Sequence, residues 1–178
     1  MVEVLHLTAL VPATVGLCCA VGDRPGSARS VVPAASMLIA MIAMAAGWPV
    51  LPPLLWAGVL LVLGVVTAAG IRMRLGTEAP PAHERQMHAH RALGLVLGAG
   101  LLLISSAAHA GGSSPAAHSG HTAGGLLATA ILAGAAGYLA FTVWLVARSV
   151  RRRVALVGMV EASAMGLMTV LMALVPLA

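Results

Sequence analysis

Six long apolar runs divide this sequence, and its ten basic side chains, all arginines, fall in only three of the gaps between them. Crossing a hydrocarbon core about 30 Å thick takes about 20 helical residues. The runs Val2 to Val21, Val31 to Trp48, Leu54 to Ile71, Ala92 to Ala110, Thr122 to Ala147 and Val154 to Leu177 approach that length and read as transmembrane helices. With 60% hydrophobic and 8% charged residues, the composition lies outside the range of soluble globular domains. The runs consume most of the 178 residues, so the expectation is a single integral membrane domain over residues 1–178, an all-α polytopic bundle. Any activity would lie inside the bundle or on short connectors.

The arginines also set an orientation. They occupy Asp23 to Ser30, Arg72 to Arg91 and Arg148 to Arg153, whereas the connections at Trp48-Pro49 and from Ala110 to His121 carry neither arginine nor acid. Arginine-bearing loops stay on the cytoplasmic side of a bacterial-type membrane, which places both termini outside. The absence of lysine from an Ala- and Gly-rich chain is in keeping with a bacterial protein of the cytoplasmic (plasma) membrane. Trp48 and Trp56 fall near the outer interface and Trp144 near the inner one, as interfacial aromatics do. The net charge of +5 points to anionic lipid headgroups and not to nucleic acid, because stacking aromatics are sparse. Met1 to Leu10 carries Glu3 and His6 in place of a positive leader region, so it reads as part of the first span.

Without a hydrophobic drive between helices in lipid, small residues must let backbones approach. Gly94 and Gly98 form such a pair in the fourth span, Gly125, Thr129, Ala133 and Gly137 recur every four residues in the fifth, and Gly158, Ala162 and Gly166 do so in the sixth. These faces are expected to be helix contacts. Pro33 is read as opening the second span, and Pro12 is expected to kink or open the first. Adjacent Cys18 and Cys19 point about 100° apart on a helix and do not make a structural disulfide.

Two methionine stripes carry the candidate chemistry. Met37, Met41 and Met44 lie on one narrow face of the second span, and Met165, Met168 and Met172 lie on one face of the sixth. Both stripes should point into the bundle. Thioethers are soft ligands, so facing stripes suit a soft cation such as Cu(I), although methionine is also the adaptable filler of irregular cores. Glu161 falls on the sixth-span stripe one turn inward, where an acid needs a partner or a role in proton or cation binding. Serine and threonine hydroxyls and the methionine thioethers are its expected partners, and Glu161→Gln is expected to keep the fold. His109, His118 and His121 in the outer connector, with His6 nearby, form a flexible candidate metal set. His83, His88 and His90 read as solvated histidines of the inner loop.

The second-span stripe resembles an uncharacterised family of multi-pass bacterial membrane proteins, classed as a domain of unknown function, in which a helix carries His followed by Met three, seven and ten places on. Met37, Met41 and Met44 match the methionines, with Ala34 in the histidine place; in the sixth span Met165 takes that place, Met168 and Met172 follow, and Val175 ends the series. The resemblance implies a six-span membrane protein and lends no activity.

The residues leave two functions in competition. One is soft-metal, copper-like binding or transport through the methionine-lined helices and Glu161. The other is a non-catalytic membrane subunit or scaffold whose small-residue faces take a partner membrane protein or a second copy. No nucleophile–base arrangement, phosphate loop or haem-binding histidine pair is legible, so an enzyme is not expected.

Overall fold

The computed structural model describes residues 2–23, 28–46, 51–74, 82–110, 121–151 and 156–174. These form six helices: α1 (Val2–Asp23), α2 (Ala28–Ala45), α3 (Pro53–Arg74), α4 (Ala82–Ala110), α5 (His121–Arg151) and α6 (Leu156–Leu174). Four of them, α3 to α6, contain stretches long and apolar enough to cross a membrane, while α1 and α2 contribute shorter apolar stretches among the described residues.

Each helix packs on the next in sequence, and α6 returns to pack on α1, so the chain order closes into a ring. Within it α4 is drawn inward and also touches α2 and α6. Its apolar window is 61% buried, against 22% for α3 and for α5, which makes α4 the central helix and leaves α3 and α5 the most exposed.

The helix ends differ from those expected. The fourth begins at Ala82, ten residues before the expected Ala92, because residues 82–91 contain no Gly or Pro to stop it. The fifth runs on to Arg151. Pro33 stands inside α2, which starts at Ala28, and α1 continues unbroken through a buried Pro12. Pro53 occupies the first position of α3, where a missing N–H is harmless, and the Pro52 carbonyl accepts from the backbone N–H groups of Leu55 and Trp56.

Glycine notches set the close approaches around α4. The Met37 thioether methyl occupies the place a Cβ would take at Gly98, and a Cβ at Gly94 would lie 2.9 Å from the Tyr138 hydroxyl. On α6, Gly166 receives Thr142 of α5, and Gly158 faces His83 and Met87 of α4. The α5 stripe departs from expectation. Gly125, Thr129, Ala133 and Gly137 are all exposed, and nothing would meet a Cβ at Gly125 or Gly137, so this face points out of the bundle.

Candidate functional site

Three helix faces meet at one polar junction. On α4, Met87, His90, Arg91, Gly94 and Gly98 fall at spacings of three and four and share a side; Tyr138, Thr142 and Leu145 do so on α5, and Glu161, Ala162, Met165 and Gly166 on α6. Helical spacing alone therefore delivers two charges, an imidazole and two hydroxyls to the place where α4, α5 and α6 converge.

At its centre is an ion pair. The Arg91 Nε–H donates to Glu161 Oε1 at 2.6 Å, and Nη2–H donates to Oε2 at 2.7 Å. Glu161 is 2% exposed and Arg91 7% exposed. Paired side-on bonds of this kind are the strongest geometry available to a guanidinium and a carboxylate. Both carboxylate oxygens are engaged, and the pair is neutral as a unit.

Beside it, His90 is fully buried and ties α4 to α5. Its Nε2 lies 2.8 Å from Thr142 Oγ1, and that hydroxyl donates its single hydrogen to the Tyr138 carbonyl at 2.8 Å. With the Thr142 hydrogen so committed, Nε2 carries the ring proton and donates to Oγ1. Nδ1 is then the acceptor, and the Tyr138 hydroxyl approaches it at 3.4 Å, a long contact reinforced by ring stacking at 4.6 Å. Phe141 tilts against His90, Trp144 stacks on Phe141, and Arg148 sits over the Trp144 ring at 5.2 Å. An aromatic file thus leads from the buried junction to the last turn of α5.

The residues singled out in the sequence divide as follows. Met37, Met41, Met168 and Met172 are buried in one core cluster with Ala9, Leu60, Leu95 and Leu101; Met165 is half-buried, with its methyl against Gly94. Among the described residues α2 and α6 are not packed on one another, yet each lies against α1 and α4, and their methionines enter the same core. The Met44, His109 and His121 side chains lie outside those described, as does that of His6, and His118 lies outside the described residues altogether. No group of three or more His, Cys, Asp or Glu is placed to hold a metal among the described residues.

Three expectations are corrected. Glu161 is held by an arginine, not by hydroxyls or thioethers, because α4 extends far enough to bring Arg91 to its level. His90 is a buried network residue and not a solvated loop histidine, for the same reason. His83 and His88 are half-buried on α4, with His88 at 3.7 Å from Glu84. Arg91, His90, Tyr138 and Thr142 were all missed as site residues.

The described residues form an all-helical bundle with a charged clasp on its central helix, and no protein family, curated protein or solved structure matches the chain.

Proposed function

We propose that this is a non-catalytic integral membrane subunit or scaffold that crosses the bacterial plasma membrane six times with both termini outside. The observation that carries the reading is the engaged state of Glu161. The one acid on a methionine stripe has both oxygens bound to Arg91, so the polar centre joins helices and does not present a free carboxylate to a cation. The exposed small-residue face of α5 supplies a surface on which a partner helix, or the same face of a second copy, can lie close.

The soft-metal reading keeps one observation in its favour, the convergence of Met37, Met41, Met168 and Met172 in a single core. One experiment separates the two. The protein, purified from copper-grown cells in mild detergent, is compared with an Ala133→Leu/Gly137→Leu variant for assembly size and with a variant carrying leucine at all six stripe methionines for copper content. The scaffold reading expects the α5 variant to keep its melting temperature but run as a smaller species, and copper content to be equal and low. Stoichiometric copper lost with the methionines, or an assembly size untouched by the α5 changes, would reverse the preference.

The topology is tested separately. Single cysteines at Ser113 and Thr77, in a background lacking Cys18 and Cys19, should label from opposite faces of the membrane, as the arginine distribution requires. Labelling of both from one side would remove the six-span reading.

A further inference from the structure

Arg91 is not exhausted by its ion pair. Glu161 engages Nε and Nη2, while Nη1, with two N–H donors, has no hydrogen-bond partner among the described residues. Nor is it sealed. The Trp56 indole nitrogen is the sole unpartnered side-chain polar atom cut off from the surface among the described residues, so the Nη1 edge is not completely sealed, although the arginine as a whole is only 7% exposed. A rigid guanidinium, fixed on one edge by a carboxylate and open on the other, is preorganised to receive an oxyanion.

Its depth is informative. From Arg91 to the end of α4 at Ala110 the helix rises about 28 Å, close to the whole thickness of a hydrocarbon core. With α4 spanning from Ala110, Arg91 therefore stands at the opposite hydrocarbon boundary, and the turns from Ala82 to His90 project beyond it. The bond from His90 to Thr142 puts α5 in register at the same level, so Arg148 and Arg151 in the last turn of α5 project on the same side, as does exposed Arg85. Glu84, the acid on the projecting part of α4, is drawn toward His88.

We propose that the Nη1 edge of Arg91 binds the phosphate of an anionic phospholipid of the inner leaflet, seated where α4, α5 and α6 meet, on the side of the membrane to which Arg85, Arg148 and Arg151 project. The site couples lipid headgroup chemistry to the clasp, since the same guanidinium holds Glu161 and the phosphate. This inference rests on the six-span reading for its depth, but its readout is lipid selectivity and not assembly size or labelling side, so the two fail independently.

The test uses the full chain in neutral detergent, with melting followed on adding phosphatidylglycerol, phosphatidylcholine or inorganic phosphate. Phosphatidylglycerol is expected to raise the melting temperature at concentrations roughly tenfold lower than phosphatidylcholine, and inorganic phosphate at matched concentration to have no effect. Arg91→Lys keeps a cation against Glu161 but loses the second donor edge, and should abolish the selectivity while retaining the fold. If the lysine variant does not fold, Arg91→Met/Glu161→Met takes its place, with both charges removed together. Equal effects of the two lipids, unchanged selectivity in the variant, or full stabilisation by inorganic phosphate would each overturn the proposal, the last by assigning the site to a free anion.

Discussion

Glu161→Gln is expected to lower the stability of the bundle by about 3–5 kcal/mol, the range found when one partner of a buried ion pair is removed. The carboxamide fills the same space and offers one acceptor, but it leaves the Arg91 guanidinium 7% exposed with no counter-charge. Arg91→Met leaves the Glu161 carboxylate without its counter-charge and should also be destabilising. Replacing both by methionine removes both desolvation penalties and should return to within about 1–2 kcal/mol of the parent. Reversible unfolding in mixed micelles of the parent, Glu161→Met, Arg91→Met and the double methionine variant gives the four corners of the cycle. A double variant whose loss equals the sum of the single losses would show that the two groups do not depend on one another. The sequence-level expectation that Glu161→Gln is tolerated is reversed for a single reason, the identity of the partner.

That partner was hidden by the rule that reads topology most clearly. Arginines mark inner loops, and assigning Arg91 to a loop along with Arg72, Arg74 and Arg85 removed it from the bundle before its helix face was considered. The opposite inference was available in the residues. The stretch from Ala82 to Ala92 follows Pro80-Pro81 and holds no helix breaker, which is how a helix start reads. Carried back two turns, the face of Gly94 and Gly98 passes through His90 and Arg91 and then Met87. The aromatics held a second unused signal. Tyr138, Phe141 and Trp144, three of the chain's five aromatics, fall within seven residues of α5, a concentration that an interfacial belt does not explain. The number of helices was legible because apolar runs and their gaps are set by local composition. Which small-residue face turns inward was not, because Gly94 and Gly166 meet partners while Gly125 and Gly137 meet none, and spacing is the same in all of them.

Gly166→Ala is expected to be more damaging than Gly98→Ala, although the space at Gly98 is the more fully occupied. At Gly98 the occupant is the terminal methyl of Met37, a flexible side chain that can swing aside. At Gly166 an added Cβ would lie 2.9 Å from Cγ2 of Thr142. Thr142 is β-branched on a helix, and its hydroxyl both donates to the Tyr138 carbonyl and accepts from His90. It cannot rotate away without breaking the α4–α5 tie. Overpacking of this kind costs about 1–3 kcal/mol, and loss of the buried hydrogen bond to His90 adds about 1 kcal/mol. Gly98→Ala incurs the smaller rearrangement, offset by the roughly 0.5–1 kcal/mol that alanine gains over glycine inside a helix. The contrast has an internal control. Thr142→Ser deletes Cγ2 and keeps the hydroxyl, so Gly166→Ala/Thr142→Ser should recover most of the stability lost in Gly166→Ala, measured as melting in detergent. Failure of the serine to rescue, with His90 ring signals still displaced from those of the parent, would mean that Gly166 is required for the approach of the α5 and α6 backbones themselves and not for the seating of Thr142.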